Sequence, residues 1–145
     1  MSETTQYCTF LLDGRYFGVD VQQVQEVIRY QELTRVPMAS PVVSGLINLR
    51  GRIVTAIDLR RRLGLPDRPA DKLPMNVVVR SGEDAVSLLV DEIGDVIEVP
   101  EDKFERPPET LRGVARSLIE GAFKLDERLM LVLDTKRAVE VPEAV

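Results

Sequence analysis

The sequence predicts a mainly β fold in which short strands make small closed or nearly closed barrels, with a few short helices. Three observations carry this reading. Apolar runs are short, several alternate with polar residues at period two, and nearly all are bounded by Gly, Asp, Asn, Ser or Pro turn signals. Roughly nine or ten strands and three short helices are expected on this basis, and barrels of that kind leave few free sheet edges. At 145 residues the chain is one domain, at most two small lobes sharing a core. No long-period repeat stands out in the sequence.

The elements follow in order. Residues 7–12 alternate, Asp13-Gly14 supplies a two-residue turn, and 15–19 return as a second strand, the strongest hairpin signal present. Asp20 is placed to cap a short helix carrying Val21, Val24, Val27 and Ile28 on one face, with Gln23 completing a capping box. Its valines are mediocre helix formers, so packing must hold it. Gln22, Gln25, Glu26 and Arg29 then lie towards the other side, by default a solvated face. Past Pro37 and Pro41, residues 46–49 and 53–57 read as short buried strands, and Gly51 can take the positive φ that a tight connection between them needs. Arg50 projects at the tip or edge of that hairpin; taken alone, it is most simply a solvated turn residue.

Asp58 reads as the N-cap of a helix over 59–63 closed by Gly64, with Leu59 and Leu63 inward and Arg60, Arg61 and Arg62 mostly facing water. The proline-rich, charged stretch near 66–74 suits an exposed connector between two halves. Strands follow at 76–80, 85–90 and 96–99, with turns at 81–84 and near Gly94-Asp95. A looser stretch, 100–116, leads into 118–125, a turn at 126–128 and the very apolar run 129–133, expected as a central strand. Asp134 caps a closing helix over 135–140. The organisation expected is a polar tail over 1–6, one domain over 7–140 and a C-terminal tail over 141–145.

Composition removes most catalytic classes. The chain has no histidine, which excludes Ser-His-Asp and Cys-His nucleophile systems and His-containing zinc sites. Its single cysteine, Cys8, lies in an apolar alternating run and reads as a small buried hydrophobe. Asp91 and Asp95 are the nearest candidate carboxylate pair, but a turn rich in acids is ordinarily just solvated. Neither a phosphate-cradling GxxxxGK[ST] loop nor a GxGxxG fingerprint occurs. A net charge of −5 with no tryptophan argues against nucleic acid as a partner. No apolar run approaches the roughly 20 residues of a spanning helix, and the polar N-terminus lacks a secretory signal, so a cytoplasmic location without membrane insertion is expected. By elimination the chain reads as a binding module with no metal or cofactor.

Several segments resemble the CheW-type chemotaxis adaptors: Phe17-Gly18-Val19-Asp20, Val24-Gln25-Glu26-Val27, Gly45-Leu46-Ile47-Asn48-Leu49-Arg50-Gly51, Ile57-Asp58-Leu59-Arg60, Val90-Asp91-Glu92-Ile93-Gly94-Asp95-Val96 and Leu129-Met130-Leu131-Val132-Leu133-Asp134. The likeness runs from about residue 7 to 139. Thr55 departs from it, standing where such strands often carry proline, and reads as a change to an edge. The resemblance implies two five-stranded SH3-like β-barrel subdomains around a shared hydrophobic core, and a non-catalytic adaptor. It implies two partners: the cytoplasmic tip of methyl-accepting chemoreceptors and the C-terminal regulatory domain of a CheA-type histidine kinase. The protein is then a monomer outside the membrane-associated arrays to which it is recruited. Val24, Glu26, Asn48, Arg50 and Gly51 are the binding residues it implies, with Glu26 free to pair with a receptor cation or with Arg50 itself. An adaptor of the same kind in a non-motility pathway, controlling pili or a second messenger, is the alternative.

Overall fold

Asp13 and Gly14 adopt φ values of +50° and +74° and join β1 (Thr4–Leu12) to β2 (Arg15–Asp20) with the two-residue turn their sequence demands. This hairpin opens the fold, a computed structural model that describes residues 3–141. The remaining strands are β3 (Val24–Ile28), β4 (Val43–Leu49), β5 (Arg52–Asp58), β6 (Met75–Ser81), β7 (Asp84–Val90), β8 (Glu92–Pro100), β9 (Ile119–Lys124) and β10 (Leu129–Leu133). Helix α1 (Leu59–Arg62) follows β5, α2 (Gly113–Leu118) precedes β9, and α3 (Thr135–Ala138) follows β10. The strands make two five-stranded sheets, ordered β8-β1-β2-β10-β9 and β3-β6-β7-β5-β4. The terminal strands of neither sheet pair with each other, so the barrels are nearly closed and not fully closed.

The two sheets share one plan. Each has an edge strand, a hairpin, one parallel pairing (β2 with β10, β7 with β5) and a second hairpin ending at the other edge. Each parallel strand then runs into a capped helical turn: Asp58 accepts from the Arg60 amide and Asp134 from the Arg137 amide. This internal repeat is written in backbone pairing and two aspartate caps, so no repeat stands out at the level of residues.

The core explains the unbroken apolar runs within β6, β7 and β10. Val77, Val79, Leu88, Val90, Leu131 and Leu133 enter a large cluster with Phe10, Phe17 and Val19 that both sheets share. The intervening Val78 and Leu89 fill the second barrel with Ile47 and Val54, whereas Met130 and Val132 fill the first with Tyr7 and Phe123. Alternate residues of one strand thus enter different compartments, and strands buried on both faces read as unbroken apolar runs. At about 2 kcal/mol for each fully buried aliphatic side chain, these clusters outweigh any surface ion pair.

Several expectations are corrected. The helix expected after Asp20 is only a single 3₁₀ turn (Val21–Gln23), and residues 24–28 are strand β3 on the edge of the second sheet. Val24, Val27 and Ile28 are β-branched and pair with β6, so tertiary pairing overrides the helical spacing. The turn expected at Gly94-Asp95 is a bulge inside β8; a Cβ at Gly94 would lie 2.5 Å from Thr9 Oγ1, and the chain instead crosses between sheets at Asp91. The connector near 66–74 joins β5 and α1 to β6 of the same sheet, so it does not divide two halves; the crossings lie at 21–23 and at Asp91. β1 begins at Thr4, inside the expected tail, and the loose stretch holds α2. β5 is interior, so Thr55 is not at an edge. Cys8 is half-buried, and burial, with Asp20 nearby, pushes its thiol up. Of the expected C-terminal tail, residues 142–145 lie outside the described residues.

Candidate partner-binding site

The β4–β5 hairpin builds the site. Leu49 pairs with Arg52, leaving Arg50 and Gly51 as a two-residue turn with φ of +55° and +87°. Both central residues therefore occupy the left-handed region, as a type I′ turn requires, although only Gly51 is suited to it. Asn48 stabilises the turn by accepting the Gly51 N–H on Oδ1 at 2.8 Å. The Arg50 side chain is 73% exposed, and Nη1 and Nη2 donate to the two carboxylate oxygens of Glu26 at 2.7 and 2.8 Å. Of the two carriers, Glu26 is on edge strand β3 and Arg50 follows edge strand β4, so the fork–fork pair bridges the open seam of the second barrel. Hydrogen bonding to Arg50 holds the Glu26 carboxyl below its ordinary range.

Four of the five implied residues thus meet: Asn48 supports Gly51, and Arg50 joins Glu26. Val24 does not join them. It begins β3 half-buried, packed against the shared core. Ile53 was expected in a buried strand but is 65% exposed, directly opposite Asn48 in the ladder and so beside the turn. Its place at the end of a hairpin is the only signal of this, because alternation by itself cannot say where burial ends. In the loop that precedes β4, Met38 is 84% exposed with φ of +62°.

The arginine run is also corrected. Arg60 is buried and donates through Nε and Nη2 to Asp91 at 2.9 and 2.5 Å, while Arg68 Nε donates to the same carboxylate at 2.8 Å. Asp91 is therefore no solvated turn residue. Burial alone would raise its carboxyl, but Arg60, the Asp13 N–H and Arg68 outweigh that and hold it below the ordinary range. Arg62 donates to the carbonyls of Arg137, Ala138 and Glu140. Among the described residues no group of three or more His, Cys, Asp or Glu is disposed to hold a metal ion, and no helix is long and apolar enough to cross a membrane.

Two curved five-stranded sheets packed on one core, with an arginine displayed across the seam of one of them, define a double-barrel β domain of the SH3-like kind. Residues 6–143 match the family model of the CheW-like domain, and the chain belongs to that family of chemotaxis adaptors. It is 33% identical over 131 residues to the chemotaxis protein CheW of Bacillus subtilis, covering 90% of this chain and 84% of that protein. It is 29% identical over 118 residues to Protein PilI of Pseudomonas aeruginosa, covering 81% of this chain and 66% of that one. The crystal structure of the scaffolding protein TtCheW from Thermoanaerobacter tengcongensis superposes with a TM-score of 0.87 at 27% identity, over 99% of this chain and 98% of that one.

Proposed function

We propose that this chain is a non-catalytic coupling adaptor of the cytoplasm, joining methyl-accepting chemoreceptors to the regulatory domain of a CheA-type histidine kinase in membrane-associated arrays. The observation that carries this reading is Arg50: a largely exposed guanidinium held out on a turn its backbone does not favour. A residue kept in that conformation serves the surface it displays. Glu26 engages two of the five guanidinium N–H donors and fixes the plane of the fork, so the others are oriented for a carboxylate or carbonyl on a receptor tip. Asn48 and Gly51 hold the turn, Val24 anchors the strand that carries Glu26, and exposed Ile53 adds apolar area beside it.

An adaptor that must respond to receptor state binds each partner moderately, with micromolar dissociation constants, about −8 kcal/mol per contact, and array valency supplies the rest. Calorimetric titration with the kinase regulatory domain and then with a receptor-tip fragment is the test. Binding of both at separate sites is expected, and binding of neither folded partner overturns the reading. The likeness to PilI keeps a second reading, the same coupling in a non-motility pathway, which the identity of the bound receptor would decide.

A further inference from the structure

Helix α1 belongs to the second sheet's half of the molecule, yet two of its arginines bind the first. Arg60 reaches Asp91, the single residue at which the chain passes from β7 of one sheet to β8 of the other. Asp91 in turn is fastened to the β1–β2 hairpin twice: its N–H donates to Leu11 O at 3.1 Å, and its Oδ2 accepts the Asp13 N–H at 2.8 Å. Arg68, from the segment after α1, completes the carboxylate's partners and also approaches Asp58 at 3.9 Å. At a second point Arg62 Nη2 donates to Arg137 O and Glu140 O, both at 2.8 Å, and Nε donates to Ala138 O at 3.1 Å, so it caps the carbonyl end of α3 behind β10 of the first sheet.

We infer that Arg60 and Arg62, acting on Asp91 and on the end of α3, are positioning residues that clamp the two barrels in one relative orientation, and that this clamp carries the coupling between the receptor and kinase sites. The inference rests on the adaptor reading above. The shared apolar cluster supplies most of the cohesion between the sheets, but the hydrophobic effect is non-directional and fixes an orientation less sharply than hydrogen-bonded ion pairs do. A carboxylate that accepts from a backbone amide and two guanidiniums tolerates only one arrangement of its three donors. Buried ion pairs also add little net stability over an apolar replacement of similar volume, so their use here is better explained by geometry than by stability. An adaptor whose barrels rotated independently would bind both partners and transmit nothing between them.

The test measures linkage: the affinity of the intact chain for the kinase regulatory domain, with and without a saturating receptor-tip fragment, in wild type, Asp91→Asn and Arg62→Met. Both variants are expected to bind each partner alone within about threefold of wild type, while the wild-type change in affinity on adding the other partner, of the order of 5-fold or more, falls to within twofold of unity. A merely structural role would lower both separate affinities and the melting temperature together and leave the linkage factor alone. Retained linkage in folded variants overturns the inference, as does a parallel loss of both affinities, or a wild-type protein that binds both partners with no linkage. Should Asp91→Asn not fold, Arg62→Met decides, since it keeps the apolar stem and removes only donors to helix-end carbonyls. Failure of wild type to bind either partner overturns the adaptor reading itself, a result distinct from lost linkage.

Discussion

Arg50 shows how one side chain can be chosen against the interest of its own backbone. An arginine at φ +55° occupies a region where its Cβ is crowded, and glycine there would relax the turn. Arg50→Gly is therefore expected to leave the melting temperature unchanged or slightly raised while weakening receptor-fragment binding by roughly tenfold or more, as loss of an interfacial arginine does. Scanning calorimetry paired with titration checks it, and a fall in melting temperature with intact binding would show that the guanidinium serves the fold. Gly45 makes the opposite case. Its φ is +153°, and a Cβ would come within 2.5 Å of Thr34 O, the carbonyl that accepts the Leu46 N–H and straps the 34–42 segment across edge strand β4. Gly45→Ala should cost about 2 kcal/mol or more in urea unfolding. The need for glycine here was invisible beforehand, because the atom that forbids a side chain belongs to a loop eleven positions away in the chain.

Strands and helices were legible where local chemistry and tertiary pairing agree. Asp13-Gly14, Asp58 and Asp134 each dictate their turn or cap from residues within a few positions, and the structure uses all three as read. Losing the Asp134 cap in Asp134→Ala is expected to cost about 1 kcal/mol, read from the urea midpoint at constant slope. Residues 24–28 differ from that pattern: the spacing of their apolar side chains fits a helix, whereas the free edge of β6 offers a ladder that isolated propensity cannot see. Polar groups inside central strands follow the same logic. Ser87 Oγ donates to Asn76 Oδ1 at 2.7 Å and Asn76 Nδ2 donates to Arg29 O at 3.0 Å, all within neighbouring β6 and β7 or at the end of β3. Ser87→Ala strands a buried amide oxygen and should cost about 1–3 kcal/mol, an amount that a surface serine would not.

The molecule as a whole is two copies of one plan fused by a common core and a few buried charges. Asp91 contributes to its pH response, since its folded-state value is held below the ordinary 3.8. A depressed carboxylate contributes stability that is fully present above the unfolded value and is lost as pH falls through the folded one. The stability difference between wild type and Asp91→Asn should therefore be flat above about pH 5 and shrink only below the ordinary carboxylate value; a difference that grew on acidification would contradict the ion-paired state of Asp91. Fold class, strand number, the hairpin turns, the helix caps and the display of Arg50 were all legible in the chain, because each rests on contacts between near neighbours or on period-two alternation. Which strands share a sheet, which apolar residues enter which of three clusters, and whether Arg60 and Asp91 face water or one another depend on segments far apart in sequence. Those are settled by long-range packing, where the partner of a residue is chosen by the shape of the assembled core and leaves no periodic trace in the chain.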